Sequence, residues 1–140
     1  MDIFERPFYL VVYLIIATLI GAKILRAAIA WYNRRAHRAG STTSVPEPLI
    51  NRARVMVFII VCVNMFVGWM MNNAAGSPVV VVVMTMLTTV LIDAGLLAAM
   101  LPTRFGPAFR IMVQVYLILL AIGSALLLFV TVLRYIPSSS

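Results

Sequence analysis

Long apolar stretches alternate with short polar segments along the chain, and four of the stretches are long enough to cross a membrane. They cover residues 7–30, 55–71, 79–101 and 108–133. A membrane-spanning helix needs roughly 20 predominantly apolar residues, with a range of about 17 to 25. The third stretch opens with the valine run 79–83, which would indicate a buried strand in water, but its continuation to Leu101 favours a helix. The pattern predicts an all-α polytopic membrane protein with a four-transmembrane-helix bundle as its single domain, residues 1–140.

Polar and helix-breaking residues separate the four spans. Residues 72–78 read Asn-Asn-Ala-Ala-Gly-Ser-Pro, and residues 102–107 contain two prolines and a glycine, so both segments predict turns. Short connections favour antiparallel neighbours. Residues 40–48 form a longer polar linker, whose length leaves the first two spans free to be non-adjacent.

The composition is that of a protein dissolved in lipid. The chain is 64% hydrophobic and 11% charged, with a mean hydropathy of +1.08. Soluble domains are about 45–50% apolar and about 25% charged, and a soluble protein of 15.5 kDa has no core large enough to hide this much apolar surface. We expect an integral multi-pass protein of the bacterial plasma (inner) membrane; in an organelle, the matrix or stroma would take the place of the cytoplasm.

The net charge of +7 comes mostly from two loops on one side of the predicted membrane. The other side carries only Arg6 and Arg134. The positive-inside rule then places both termini outside and the basic loop 34–54 in the cytoplasm. Anionic lipid headgroups are the expected partners of this basic patch, and nucleic acid is not expected. The patch comprises Arg34, Arg35, Arg38, Arg52, Arg54, Arg104 and Arg110.

Two charged residues, Lys23 and Asp93, lie well inside predicted spans that run in the same direction. Their distances from the outer ends of the first and third spans are similar, so the rise of about 1.5 Å per helical residue places them at similar depth. Charges in hydrocarbon usually pair with one another. The pattern predicts an intramembrane ion pair between Lys23 and Asp93, with Arg26 as a competing partner. The alternative is that Lys23 and Arg26 extend to the inner interface, while Asp93 is protonated or capped by neighbours.

Further polar residues occupy the middle of the spans. Thr85, Thr89 and Asp93 are spaced four apart and form one stripe on a helix. Asn64 and Ser124 fall near the middle of the second and fourth spans. The stripe fits either a hydrophilic pathway for an ion or interhelical hydrogen bonding. The second interpretation is favoured because a single carboxylate makes a poor relay.

Small residues recur at four-residue spacing, which lets helix backbones approach closely. This spacing predicts helix-packing faces on the first and third spans, at Ala17, Gly21, Ala94, Gly95, Ala98 and Ala99.

No set of residues for catalysis, metal binding or cofactor binding is recognised. The single histidine, His37, lies in the basic loop, and the single cysteine, Cys62, lies in an apolar run. A bis-histidine haem site, a Ser-His-Asp set and a Cys-x-x-Cys motif therefore cannot form within one chain.

By elimination, the sequence favours a non-catalytic accessory or structural subunit of a larger integral-membrane assembly, or a homo-oligomer. Such a protein acts through helix–helix and lipid contacts with other membrane subunits or itself. One alternative is a small ion- or proton-coupled transporter or channel that uses Asp93. Another is an enzyme subunit that contributes lipid-facing surface to the site of a different chain.

Overall fold

The described part of the protein forms four long α-helices. The computed structural model describes residues 7–41, 44–73 and 76–135, with no side chains given for 133–135. The helices are α1 (Pro7–Arg38), α2 (Ile50–Asn72), α3 (Pro78–Met100) and α4 (Phe105–Tyr135). No strand occurs in these ranges, and all four helices are long and apolar enough to cross a membrane. The predicted four-helix membrane fold is confirmed.

Local sequence explains where the helices begin and end. Gly40 adopts a φ of +70°, in the left-handed region that glycine tolerates best. The Gly40 amide donates to the His37 carbonyl, and the Ser41 amide donates to that of Ala36, which is the Schellman arrangement of a helix C-terminus. Pro78 begins α3, a position where the missing amide hydrogen costs nothing.

The helices extend beyond the predicted spans at the basic side. Helix α1 continues past residue 30 to Arg38, and α2 starts at Ile50, before the predicted residue 55. The arginines of the predicted loop 34–54 therefore lie on helices. Arg35 and Arg38 occupy the last turn of α1, where positive charge is favoured by the helix dipole. We call this end of the molecule the basic end. Arg6 and the Arg134 side chain lie outside the described part.

The four helices form a ring in which each contacts two others. Helix α1 packs against α2 and α4, and α3 also packs against α2 and α4. Helices α1 and α3 lie on one diagonal, and their backbones do not approach each other within the described residues. Side chains on α1 and α3 can therefore meet only across the centre of the bundle. Helices α2 and α4 lie on the other diagonal, which is bridged by side chains alone, from Asn64 to Tyr116.

The segment between α1 and α2 differs from the flexible linker that the sequence suggested. Helices α1 and α2 share the most extensive interface in the bundle, so these two spans are adjacent. The Asn33 side chain donates from Nδ2 to the Val45 carbonyl at 2.8 Å, and its Oδ1 accepts the Val45 amide at 2.9 Å. The Val45 side chain is buried against the core. One amide side chain thus holds the linker against the end of α1.

The apolar core lies in the half of the bundle nearer the basic end. Every helix contributes buried side chains there, including Leu25, Ile29, Met56, Leu97, Leu101 and Ile111. Away from the basic end, the helices expose large apolar side chains, and residues 119–132 of α4 are all exposed. In a membrane this surface contacts lipid or other protein chains.

Candidate functional site

Asp93 is the one charged or polar side chain that is buried among the described residues, with 0% of its surface exposed. It lies on α3, followed by buried Ala94 and one turn before buried Leu97. This face of α3 points into the core. A carboxylate at such a position is costly unless neighbouring groups satisfy it.

Two neutral side chains from two other helices bind the carboxylate. Tyr116 of α4 donates its hydroxyl to Asp93 Oδ2 at 2.5 Å. Asn64 of α2 donates from Nδ2 to the same oxygen at 3.0 Å and to the Tyr116 hydroxyl oxygen at 3.4 Å. We call these three residues the Asp93 cluster. It links α2, α3 and α4 by hydrogen bonds at the centre of the bundle.

The cluster leaves two acceptor atoms without a protein partner. Asp93 Oδ1 and Asn64 Oδ1 are both buried and accept no hydrogen bond from the described residues. The two bonds from Asn64 Nδ2 fix the orientation of its amide, because the opposite flip would bring Oδ1 against the carboxylate. An unsatisfied buried acceptor costs about 1–3 kcal/mol. The site therefore favours any group that supplies hydrogen-bond donors.

A cavity of about 550 Å³ adjoins the Asp93 cluster. All three members of the cluster line it, and its other walls come from apolar residues of α1, α2 and α4. These include Ala17, Ile20, Val61, Met65, Val115 and Leu119. This volume lies within the range of about 300–1,000 Å³ that is typical of small-molecule sites.

The structure does not bring Lys23 and Asp93, the predicted ion pair, together. Lys23 is exposed on α1, diagonally across from α3, and no ion pair links it to Asp93 in the described part of the chain. The competing partner, Arg26, is half-buried, and its Nε has no hydrogen-bond partner. Equal depth did not bring the charges together because the ring order of the helices separates them. The exposure of Lys23 agrees with the alternative in which its amine extends to the membrane interface.

The predicted polar stripe is only partly assembled. Asn64 joins Asp93, whereas the Thr85 and Thr89 hydroxyls donate to backbone carbonyls one turn earlier in α3, at 2.7 and 2.6 Å. Such bonds satisfy the hydroxyls within their own helix. Ser124 is exposed on α4 and does not reach the bundle interior. The stripe therefore provides no continuous polar path through the described bundle.

The predicted small-residue positions differ in their environments. A Cβ built on Gly21 would lie 2.7 Å from Val57 Cγ1, so Gly21 marks a close approach of α1 and α2. A Cβ on Gly95 would meet no atom within 4 Å. Ala94 is buried, Ala17 and Ala98 are half-buried, and Ala99 is exposed.

The arginines of the basic patch are all exposed and surround the basic end. Arg35 and Arg110 line a groove of about 540 Å³ between α1 and α4, which Tyr32 also lines. Arg52 donates to the Met100 carbonyl at 3.0 Å and so satisfies an end group of α3. The other members are Arg34, Arg38, Arg54 and Arg104.

Tyr116 is the member of the site that sequence reasoning missed. Its hydroxyl lies within an otherwise apolar stretch, away from the helix ends where tyrosine usually marks the membrane interface. A buried tyrosine hydroxyl normally finds a partner. This rule, applied to the fourth span, is the signal that could have found it.

No group of three or more His, Cys, Asp or Glu side chains occurs together in the described residues. Comparison with protein-family models, with curated proteins and with solved structures finds no match for this chain.

Proposed function

We propose that the protein is a non-catalytic accessory or structural subunit of an integral-membrane assembly, composed of other membrane chains or of further copies of itself. The observation that carries this proposal is the setting of Asp93. A carboxylate that couples ion movement needs access to water. Asp93 has none of its surface exposed and is bound by two neutral side chains. This arrangement suits a role in holding three helices together.

The surface of α4 supports the second half of the proposal, association with other chains. Ser124 lies nine residues after the buried Val115, or about two and a half helical turns, and so faces away from the core. Ala121 lies one turn before Ser124, where small side chains permit close helix packing. Another membrane helix fits against this side of α4.

Site-specific photo-crosslinking in native membranes tests the association. A photoreactive side chain at Ser124 is expected to give a protein adduct of one discrete mass. Ile122 is the matched control. It lies about two turns after Val115, on the side of α4 that Val115 occupies and opposite Ser124, and it should not give this adduct. Ala121→Leu should abolish the Ser124 adduct, whereas Gly123→Leu, whose Cβ meets no atom within 4 Å, should not. Lipid adducts alone at Ser124, with a single-chain mass in nanodiscs, would contradict the proposal.

The cavity favours a second candidate, a small ion- or proton-coupled transporter with Asp93 as the coupling carboxylate. Asp93 lines this space, and its Oδ1 has no partner in the described protein. Reconstituted liposomes separate the two functions. Reproducible proton or cation flux with the wild-type chain alone, lost in Asp93→Asn, would favour the transporter. No flux with either protein would favour the subunit.

A further inference from the structure

The lining of the cavity beside the Asp93 cluster is buried toward the basic end and exposed toward the opposite end. Toward the basic end it is bounded by Leu25, Val57 and Met112, which are all buried. Toward the opposite end its lining includes Tyr13 and Leu119, which are largely exposed.

The two buried polar atoms of this cavity that lack a partner among the described residues are both acceptors. Asp93 Oδ1 and Asn64 Oδ1 both lack donors, and the Tyr116 hydroxyl already donates its hydrogen to Asp93. Both atoms are buried in this structure, so a ligand reaches them only when neighbouring side chains move, and a matching ligand brings more than one N–H or O–H group. An acceptor-only ligand, such as a phosphate or a sulfate, would be repelled.

The charge at the site further limits the chemical class of the ligand. No lysine or arginine lines the cavity. Lys23 is exposed on α1, and Arg26, which follows the lining residue Leu25 in sequence, is half-buried but is not part of the lining. A cationic group from outside the protein would supply both the missing charge and the missing donors. Primary ammonium, with three N–H groups, fits two separate acceptors and strengthens each bond by its charge.

The walls of the cavity indicate the chemistry of the part of the ligand beyond its ammonium group. Ala17, Ile20, Val61 and Met65 give the cavity an apolar lining that leads toward the exposed Leu119. A hydrocarbon chain extending from the ammonium would contact these side chains and leave toward the membrane.

We propose that the cavity binds an amphiphile with a primary ammonium at the Asp93 cluster and an apolar tail along α1, α2 and α4. The ammonium can come from an aminolipid of the surrounding bilayer or from a free alkylamine, since both share the recognised chemistry. This site is independent of the proposed association through α4.

Methionine methyl NMR of the full chain in phosphatidylcholine nanodiscs tests the site directly. Met65 and Met112 line the cavity, whereas Met84 is exposed on α3 and does not line it. Octylamine is expected to shift the Met65 and Met112 signals saturably and leave Met84 in place. Octanol lacks the charge, and octyltrimethylammonium lacks the N–H groups, so each should bind at least about tenfold more weakly.

Two variants separate the chemistry of the cluster from the shape of the cavity. Asp93→Asn should weaken octylamine binding by about tenfold or more while leaving octanol binding unchanged. Ala17→Trp should block both ligands by filling the cavity. Ala27→Trp, on the exposed side of the same helix, should block neither. If Asp93→Asn fails to fold, the Ala17→Trp variant still tests the site. Its NMR spectrum must then be that of a folded protein, so that a loss of binding reflects the filled cavity.

The source of the ammonium is decided by lipid composition. Replacing phosphatidylcholine by phosphatidylethanolamine, without octylamine, should shift Met65 and Met112 if a bilayer aminolipid is the ligand. A shift with octylamine alone would indicate a free amine. The proposal is overturned if octylamine, octyltrimethylammonium and octanol give equal shifts, if Met84 shifts as much as Met65, or if no ligand shifts any signal.

Discussion

Tyr116 donates its hydroxyl to the Asp93 carboxylate at 2.5 Å, across the interface between α3 and α4. The two helices are joined by a short turn, yet the bond lies deep in the bundle. Asn64 donates to the same carboxylate oxygen from α2. The position of the carboxylate is thus fixed by neutral donors on two neighbours, and it requires no cationic residue of the chain.

Removal of the Tyr116 hydroxyl is expected to destabilise the bundle. Tyr116→Phe deletes one of two donors to a buried carboxylate and should lower the free energy of unfolding by about 1–3 kcal/mol. Reversible unfolding in mixed micelles measures the change. Tyr9→Phe, at an exposed position of α1, is the matched control and should have little effect.

A double-mutant cycle then tests the bond itself. If Tyr116 and Asp93 interact directly, Tyr116→Phe should cost less in the Asp93→Leu background than in the wild type. Equal costs in both backgrounds would show that the hydroxyl stabilises the protein in another way.

Close packing at Gly21 gives a prediction with a built-in control. A Cβ at Gly21 would lie 2.7 Å from Val57 Cγ1, and valine has little rotamer freedom in a helix. Gly21→Ala should destabilise the α1–α2 interface by about 1–3 kcal/mol, and Val57→Ala should rescue it. Gly95→Ala should be neutral or stabilising, because a Cβ there meets nothing within 4 Å. Thermal unfolding of the wild type and the three variants in one lipid mixture makes the comparison, and equal effects at Gly21 and Gly95 would contradict it.

The helices could be predicted from sequence because each apolar stretch is long enough to span a bilayer and ends at residues that break helices. Pro78 and Gly40 mark such ends. Membrane depth could be estimated in the same way, from the rise per residue. The order of the helices around the ring could not be predicted. Lipid is as apolar as the helix surfaces, so hydropathy does not determine which helices are neighbours.

The partner of Asp93 could not be predicted for this reason. Lys23 matched Asp93 in depth, but α1 and α3 are diagonal in the ring. Asn64 was recognised as an interior polar residue, but its contact with Asp93 depends on which helices are neighbours. Tyr116 carries no charge and lies in an apolar stretch, so the pattern of charged residues does not predict its hydrogen bond with Asp93.

Asn33 is expected to control the order of the linker. Its side chain satisfies both the amide and the carbonyl of Val45. Asn33→Ala leaves both backbone groups without these partners, so the Val45 amide should exchange hydrogen about 5- to 30-fold faster, as a loss of about 1–2 kcal/mol implies. Asn51→Ala, at an exposed position on α2, is the control. Unchanged exchange at Val45 in Asn33→Ala would show that packing of the Val45 side chain is sufficient to hold the linker.

The distribution of arginines along the chain predicts the orientation of the protein in the membrane. The basic patch lies at one end of the bundle, and Ser44 and Ser77 are exposed at opposite ends. The positive-inside rule predicts that Ser44 faces the cytoplasm and Ser77 the exterior. In a Cys62→Ala background, an impermeant thiol reagent added to intact cells should label Ser77→Cys and should label Ser44→Cys only after the membrane is opened. The reverse pattern would place the basic end outside, and the Arg35–Arg110 groove would then face the exterior instead of the anionic cytoplasmic leaflet.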